Sequence, residues 1–314
     1  MAETANRLLL LDTASLYFRA FYGVPDSLRA PDGTPVNALR GLLDFVARLV
    51  ADYRPDALAA CWDDDWRPAW RVELLPTYKA HRVEEEVSDD PDVEETPDLL
   101  SPQVPLIAEA LTLLGIAVVG AEEYEADDVI GTLSRRWDGP VDIVTGDRDL
   151  FQLVDDARGR RVLYTARGVG KHEQITDDVI VAKYGVRPDQ YVDFAVLRGD
   201  PSDGLPGISG VGDKTAAALV REYESLAKIR EAAEDRWSDL KPRVRRNIGE
   251  GGSYLDVAPT VVRVASDAPV GSPDLRLGTP DDSETEAFRK FAARWGLGGV
   301  EQRILDALFD AASR

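Results

Sequence analysis

The sequence is poor in the residues that most often cross-link a chain or hold structural zinc. It contains a single cysteine, Cys61, and two histidines, His81 and His172. One cysteine excludes an internal disulfide and leaves no set of thiolates for a zinc site. Cys61 lies within the apolar stretch ALAACW, which is typical of a buried small hydrophobe. Any bound metal would therefore be held by oxygen atoms, which favours magnesium or manganese.

Long apolar segments are also missing. No stretch approaches the uninterrupted apolar length that spans a bilayer, and the N-terminal residues MAETANR contain no apolar core of the signal-peptide type. We therefore expect a cytoplasmic protein that does not associate with a membrane.

The chain lacks an excess of basic residues, with 37 Lys and Arg against 57 Asp and Glu and a formal net charge of −20. This balance argues against binding to nucleic-acid phosphates, which favour lysine and arginine. Acidic residues concentrate in the run 84–95 and after apolar segments, however, whereas basic residues cluster at 67–82 and 241–246. Because local patches decide binding, the net charge does not exclude a nucleic-acid partner.

Acidic residues follow apolar runs at five places along the chain, within 8–12, 57–63, 125–128, 141–149 and 192–203. In an open α/β sheet, residues just past the carboxyl ends of parallel strands meet in one crevice. Carboxylates that converge there would repel one another unless divalent cations neutralised them. The pattern therefore predicts a hydrolytic metal site built at the edge of a sheet.

Apolar segments with little alternation recur between helical patterns, which is typical of a parallel sheet covered on both faces. Asn37 and Thr176 are candidate N-caps, and Gly185 is a candidate glycine at a helix end. The predicted strands lie near 7–12, 57–62, 116–119, 141–145 and 161–164. The predicted helices lie near 14–22, 37–52, 103–114, 126–137 and 176–185.

The strand and helix alternation is interrupted at residues 64–102, a long charged excursion of the kind that is usually functional or disordered. From about 186 the pattern is helical, with an irregular linker at 265–282 and a final helical segment at 284–314. We therefore expect an α/β domain over 1–185 and a helical region over 186–314.

A glycine-rich segment at 199–215, GDPSDGLPGISGVGDKT, lies between two predicted helices. Its core GISGVG, residues 207–212, is called here the glycine hairpin. Glycine lets the backbone approach a phosphate closely, and the N–H groups of Gly210, Gly212 and the helix that follows could donate to it. Lys214 would add a positive charge. The segment predicts a grip on a nucleic-acid backbone that does not depend on base sequence. The alternative is a tight turn between two helices.

The motifs LLLLDTASLYFRAFYG, CWDDD, YKAHR, YEADDVIGTLS, TGDRDLFQL and LRGDPSDGLPGISGVGDKTA occur in this order over residues 7–260. In this combination the chain resembles the bacterial 5′-nuclease family. That family comprises the 5′–3′ exonuclease and flap endonuclease that is fused to DNA polymerase I in many bacteria and stands alone in others. The resemblance implies a PIN-like α/β domain with a helical arch, here at about 64–102, and a helix–three-turn–helix DNA-binding region.

The resemblance also implies two or three bound Mg²⁺ or Mn²⁺ ions and, at the glycine hairpin, a candidate K⁺ site. Helical spacing places Glu125 and Asp128 on one face and Asp127 elsewhere, so which of them binds metal directly stays open. The carboxylates that match the family's metal ligands are Asp12, Asp63, Glu125, Asp127, Asp128, Asp147, Asp149, Asp200 and Asp203.

Lys79 and Arg82 match the family's basic arch residues and are implied to contact the scissile phosphate, while Arg19 matches a phosphate-binding position. Tyr78, with Tyr17 and Phe18, is a candidate for stacking on an unpaired base. The hairpin residues implied to bind DNA are Gly207, Gly210, Gly212 and Lys214.

The expected substrate is DNA with 5′ flaps, nicks or 5′ ends, which is cut to leave 5′-phosphates. We expect a stand-alone monomer, with a separate DNA polymerase as a candidate partner. Two positions depart from the family pattern. The run at 84–95 is more acidic than is usual for the arch, so we expect it to be mobile and not to touch DNA phosphates. The family often has Asn where Gly204 stands, which predicts a looser loop.

Other classes of protein explain less of the sequence. An aspartyl-phosphate phosphatase needs a second aspartate two residues after Asp12, where Ala14 stands. A topoisomerase–primase metal site accounts for TGDRD but not for Asp12, Asp63 or the hairpin. A PIN-type ribonuclease accounts for the carboxylates alone. A non-catalytic, structure-specific DNA-binding protein is the alternative to an enzyme, and a missing carboxylate would favour it.

Overall fold

A computed structural model describes residues 6–83 and 97–313. Its centre is a six-stranded sheet in the order β3-β2-β1-β4-β5-β6, in which β1 to β5 are parallel and β6 pairs antiparallel with β5. This confirms the predicted α/β class. The strands are β1 Leu8–Asp12, β2 Ala57–Cys61, β3 Ala117–Val119, β4 Val141–Thr145, β5 Arg160–Tyr164 and β6 Glu173–Ile175.

Helices cover both faces of the sheet and are the main elements of the later part of the chain. The first group is α1 Thr13–Gly23, α2 Asn37–Tyr53, α3 Ala69–Leu74, α4 Val104–Leu113, α5 Ala126–Arg136 and α6 Asp177–Tyr184. The second group is α7 Tyr191–Arg198, α8 Asp213–Tyr223, α9 Leu226–Glu234, α10 Pro242–Glu250, α11 Gly252–Val262, α12 Asp282–Trp295 and α13 Gly299–Ala312.

The central strand β1 divides its leucines between two cores. Leu8 and Leu10 belong to one buried cluster, and Leu9 and Leu11 belong to the other. Successive side chains of a strand point to opposite faces, so an unbroken apolar run is what a sheet covered on both sides requires. The four leucines are fully buried. The absence of alternation in the sequence was therefore the correct sign of a central parallel strand.

The sequence patterns miss two short elements. β6 has only three residues, EQI, and two of them are exposed, so neither apolar length nor alternation marks it. α3 lies in the charged excursion, and only Arg71 among its residues is buried. The described part of that excursion also contains short 3₁₀ turns at Ala80–Arg82 and Ser101–Gln103. The predicted mobility of 84–95 lies outside the described residues.

The predicted linker at 265–282 has no helix or strand before α12 begins at Asp282, but it is joined to the sheet. Leu58 N–H donates to the carbonyl oxygen of Leu275 at 2.8 Å, and Leu277 N–H donates to that of Asp56 at 3.0 Å. Leu275 and Leu277 are buried. The linker returns the chain to the sheet so that α12 packs on α4 and α13 packs on α2. The domain boundary at 185 stays a prediction.

Within the described residues no helix is both long and apolar enough to cross a membrane.

The start of α2 differs from the prediction, because Asn37 is the first helical residue and does not cap the helix through its side chain. Gln103, which is fully buried, supplies the cap from a distant segment: its Oε1 accepts hydrogen bonds from Ala38 N–H at 2.8 Å and Leu39 N–H at 3.2 Å. Its Nε2 donates to Asn37 Oδ1 at 2.9 Å. These two N–H groups have no partner within the helix, so Gln103 satisfies donors that would otherwise be buried unpaired.

We expect Gln103→Ala to lower the free energy of unfolding by about 2–4 kcal/mol, because it leaves buried backbone donors without an acceptor. Urea unfolding followed by circular dichroism measures the change. Gln302→Ala, on the exposed face of α13, removes a side-chain hydrogen bond to Asp306 and is the matched control, with an expected change within about 0.5 kcal/mol. Equal effects of the two substitutions would contradict the capping role.

Candidate active site

The strand order places a switch point between β1 and β4, where the chain leaves the central strands in opposite directions. Ligands bind at such points in open α/β sheets. Asp12 ends β1 and caps α1, since its Oδ1 accepts from Ser15 N–H at 3.1 Å. Its Oδ2 accepts from Thr145 Oγ1, at the end of β4, at 2.6 Å. Hydrogen bonds from both neighbouring elements therefore hold the Asp12 carboxylate at the switch point.

The start of α5 brings in further carboxylates. Asp63, two residues past β2, accepts a hydrogen bond from Ala126 N–H at 2.8 Å. Glu125 is the N-cap residue of α5, and its N–H donates to Asp128 Oδ2 at 3.2 Å. Negative charge is favoured at a helix N-terminus, which helps this helix end to tolerate several acidic neighbours.

These elements surround a cleft of about 380 Å³, and a small cavity of about 30 Å³ adjoins it. The cleft is lined by Asp12, Asp63, Glu125, Asp127, Asp147 and Asp200. The cavity shares Glu125, Asp127 and Asp147 with the cleft and adds Asp149 and Asp203. The structure therefore brings eight of the nine predicted carboxylates to one region.

Asp128 is the exception, and its predicted role as a metal ligand is not supported by its position. Its two carboxylate oxygens accept from Arg71 Nη1 and Nη2, both at 2.7 Å, and Oδ1 also accepts from Ala265 N–H at 2.7 Å. The side chain is fully buried and does not line the cleft. Asp128 shares a helix face with Glu125, but that face points to Arg71 in the protein interior.

Arg71 is the important residue that the sequence did not reveal. Its Nη1 also donates to Glu125 Oε2 at 2.6 Å, and its Nε donates to the carbonyl oxygen of Val261 at 3.1 Å. The guanidinium thus joins α3 and α5 to the end of α11 while it is almost completely buried. In the sequence, Arg71 lies in a basic cluster that resembles a phosphate-binding surface, and nothing local indicates burial.

Crowding in a buried region raises the pKa of several of these carboxyl groups. Burial is the main cause for Asp12, whose pKa rises to about 7, and nearby Asp63 and Asp147 add to it. Burial together with Asp147 raises the pKa of Asp127 well above its usual value, and burial with Asp147 does the same for Asp149. Raised pKa values are expected where carboxylates face one another without enough positive charge.

The donor set fits hard divalent cations, because it consists of carboxylate oxygens held close together in a polar cleft. Among residues 6–83 and 97–313, no three Asp, Glu, His or Cys side chains stand ready as a metal-binding group. Several carboxylates are turned instead towards cations of the chain: Glu125 to Lys79, Asp203 to Arg82, and Asp200 to Arg198. Metal binding would therefore require some of these side chains to exchange partners.

Lys79 and Arg82 both line the cleft, as their predicted roles require. Lys79 Nζ is hydrogen-bonded to Glu125, and its backbone adopts the left-handed region with φ 48°. Burial alone would lower the pKa of Lys79, but the Glu125 carboxylate raises it well above its usual value. Arg82 Nη2 donates to Asp203 Oδ1 at 2.8 Å and to the carbonyl oxygen of Ser202 at 2.6 Å. Lys79 therefore remains positively charged beside the carboxylates, and hydrogen bonds hold Arg82 next to Asp203.

The loop at Gly204 is tightly packed, contrary to the expected loosening. Gly204 has φ +71°, and a Cβ there would lie 1.8 Å from the carbonyl oxygen of Thr77. Thr77 Oγ1 donates to the carbonyl oxygen of Gly204 at 2.8 Å, and Lys79 N–H donates to that of Asp203 at 3.1 Å. Glycine permits this close approach, which fastens the segment that carries Lys79 to the loop that carries Asp203.

Two further predictions change in the structure. Tyr78 is 5% exposed and its hydroxyl donates to Glu125 Oε2 at 2.7 Å, so it cannot stack on a base as predicted and instead orients Glu125. Arg19 lies outside the carboxylate cleft, in a neighbouring one of about 800 Å³ that shares Ser15 and Phe18 with it. Its Nη1 donates to the carbonyl oxygen of Ala166 at 3.1 Å.

The glycine hairpin joins α7 to α8 as expected, and its glycines divide into two kinds. Gly207 has φ +65° and packs against the Arg198 carbonyl oxygen, which a Cβ would approach to 2.5 Å. Gly207 therefore serves the internal packing of the hairpin. Gly210 and Gly212 are exposed, and Gly212 precedes the first residue of α8, where exposed Lys214 lies in the first turn. The exposed part of the hairpin is thus Gly210, Gly212 and Lys214.

The family models for the 5′-3′ exonuclease match the chain in succession. The N-terminal resolvase-like domain covers residues 7–185, and the C-terminal SAM fold covers 186–283. The chain is 60% identical over 301 residues to a 5′-3′ exonuclease of Streptomyces coelicolor, which covers 96% of this chain and 99% of that protein. It is 47% identical over 314 residues to a 5′-3′ exonuclease of Mycobacterium tuberculosis, and this match covers 96% of this chain and 97% of that protein.

Among solved structures, the fold is similar to the bacteriophage T5 D15 flap endonuclease in a complex with DNA and metal ions. The TM-score is 0.62 at 15% identity, and the match covers 98% of this chain and 100% of that one. The chain belongs to the 5′-3′ exonuclease family. It is a 5′-3′ exonuclease, a hydrolase of phosphodiester bonds, which confirms the family resemblance drawn from the sequence motifs.

Adjacent residues Asp127 and Asp128 should respond oppositely to the same substitution in metal-free protein near neutral pH. Asp127→Asn removes a crowded carboxylate and should raise the melting temperature. Asp128→Asn leaves the buried Arg71 without its bidentate partner and should lower the free energy of unfolding by about 3–5 kcal/mol. Calorimetry in the presence of a chelator tests both. A stable Asp128→Asn protein that had lost only its response to metal would restore Asp128 as a ligand.

Proposed function

We propose that this nuclease hydrolyses DNA at 5′ flaps, nicks and 5′ ends with the help of two or three Mg²⁺ or Mn²⁺ ions, and leaves 5′-phosphates. The observation that carries the proposal is the convergence of eight carboxylates at the switch point of the sheet. Metal dependence and a flap substrate are also supported by the T5 D15 structure, which is described as a flap endonuclease bound to DNA and metal ions.

The carboxylates are proposed to form two sets, one of Asp12, Asp63, Glu125 and Asp127 and the other of Asp147, Asp149, Asp200 and Asp203. Asp12 and Asp63 line the cleft but not the cavity, whereas Asp149 and Asp203 line the cavity but not the cleft. Glu125, Asp127 and Asp147 line both, so the two sets would adjoin. Divalent cations held there would lower the pKa of an attacking water and stabilise charge on the phosphate. The chain's own task is to hold these oxygens in one region, and bound cations would favour their deprotonated form.

Lys79 and Arg82 are proposed to donate hydrogen bonds to the scissile phosphate. The raised pKa of Lys79 keeps its ammonium charged, so it acts as a donor and not as a base. Charge-assisted hydrogen bonds to a phosphate strengthen as negative charge develops, which favours the transition state over the bound substrate. In the absence of DNA, Glu125 and Asp203 keep the two cations over the cleft.

DNA positioning is assigned to the exposed part of the hairpin. Gly210 and Gly212 are exposed beside the first turn of α8, and Lys214 is exposed next to them. Such a site binds phosphates without reading bases. A K⁺ ion at the hairpin, a separate DNA polymerase as partner and a monomeric state stay predictions.

The function is tested with a flap substrate labelled at its 3′ end, in Mg²⁺, Mn²⁺ or chelator. We expect cleavage at the flap junction with either metal, products that carry 5′-phosphates, and no cleavage with chelator. Asp149→Asn should slow single-turnover cleavage by at least about 100-fold while DNA affinity changes little. Asp306→Asn, on the exposed face of α13, is the control. Degradation from the 3′ end, or an Asp149→Asn enzyme that cleaves at the wild-type rate, would refute the proposal.

A further inference from the structure

Trp237 is the most exposed large hydrophobic side chain of the described residues, with 78% of its surface accessible. It lies in the turn between α9 and α10 and does not line the carboxylate cleft. The guanidinium of Arg236 stacks over its indole ring at 4.3 Å from the ring centroid. An indole that a cation covers on one face still presents its other face and edge to a partner.

The turn that carries Trp237 is held in place by hydrogen bonds. Trp237 N–H donates to Asp235 Oδ1 at 2.9 Å, and Ser238 N–H donates to the carbonyl oxygen of Asp235 at 3.1 Å. Arg245 of α10 reaches back to the turn, where its Nη2 donates to the carbonyl oxygen of Ser238 at 2.7 Å. The exposed indole therefore stands on a fixed turn, so a partner would order little additional backbone on binding.

Helix α10 connects this turn to the glycine hairpin. On its hairpin side, Asn247 Nδ2 donates to the carbonyl oxygen of Ser209 at 2.6 Å, and Arg243 lies 3.5 Å from the position of a Cβ at Gly210. Arg245, on the turn side, is two residues from Arg243 and therefore about 200° away around the helix. Arg246 lies between the two sides on the exposed arc of the helix.

The charge of this region is opposite to that of the chain as a whole. Residues 236–246 contain five basic residues and one acidic residue, in a protein with a net charge of −20. Arg243 and Arg246 are exposed, and the partner of Arg246 is Glu250 at 3.8 Å, a pair that contributes little at a surface. A basic strip of this kind is suited to a polyanion.

We propose that Trp237, Arg243 and Arg246, called here the α10 surface, bind the duplex arm of the DNA substrate as a continuation of the hairpin. Arg243 and Arg246 contact phosphates, and the Trp237 indole packs against the sugars of the same backbone. The inference rests on the proposed function, because it takes the hairpin as the first duplex contact. The α10 surface widens that contact across one helix diameter, about 10–12 Å.

The inference is tested by fluorescence anisotropy with a labelled flap oligonucleotide that carries a long duplex arm, in Ca²⁺ or chelator and at several salt concentrations. Arg243→Ala/Arg246→Ala should weaken binding about tenfold at moderate salt and reduce the slope of log K against log[salt] by about 2, one for each lost phosphate contact. Trp237→Ala should weaken binding about fivefold and leave the slope unchanged, since it removes apolar packing and no charge.

Arg289→Ala/Lys290→Ala, on the exposed face of α12, removes the same charge from another part of the protein surface and should leave both the affinity and the slope unchanged. None of the variants should alter the melting temperature or the single-turnover rate at saturating DNA. Wild-type affinity and slope in the Arg243→Ala/Arg246→Ala and Trp237→Ala proteins, with wild-type cleavage intact, would overturn the inference and leave the nuclease function standing. A wild-type protein that does not cleave the flap substrate would instead count against the proposed function.

Discussion

The fold brings eight carboxylates into one cleft, and their mutual repulsion is the constraint on which the rest of the site depends. Parallel strands end at the same edge of the sheet, so Asp12 and Asp147 are placed together by topology and not by mutual attraction. Burial and crowding then raise the pKa of Asp12 to about 7. An arrangement of this kind costs free energy in the empty protein, and it becomes favourable when divalent cations enter.

The protein partly offsets this repulsion with its own cations. Lys79, Arg82 and Arg198 each pair with one carboxylate of the region, and Arg71 binds Glu125 from the interior side. These cations serve two different purposes. Arg71 is buried and keeps α3, α5 and α11 together, whereas Lys79 and Arg82 line the cleft, where a phosphate could take over their hydrogen bonds. The same charges thus stabilise the empty site and can contribute to binding of the substrate.

Much of the fold could be predicted from the sequence, because its apolar segments mark the parallel strands, and strand position places Asp12, Asp63 and Asp147 at one edge of the sheet. The unbroken run of Leu8 to Leu11 indicates a central parallel strand, and Asp12 at its end must reach the switch point. Contacts between distant segments could not be predicted in this way. Asp128 faces Arg71, which is 57 residues away, and Gln103 caps a helix 65 residues away. Tyr78 resembles a stacking residue in the sequence, yet tertiary packing buries it against Glu125.

The central claim is that crowded carboxylates destabilise the empty protein and that divalent cations relieve this cost. A carboxyl group whose pKa is raised by folding, from 3.8 to about 7 for Asp12, stabilises the folded state most below the lower value, and this contribution is lost as the pH rises through the higher one. The direct measurement is the free energy of unfolding between about pH 5 and about pH 8, in chelator and in Mg²⁺. We expect stability in chelator to fall across this range and the stabilisation by Mg²⁺ to grow with pH. Equal stability with and without Mg²⁺ at every pH would contradict the account.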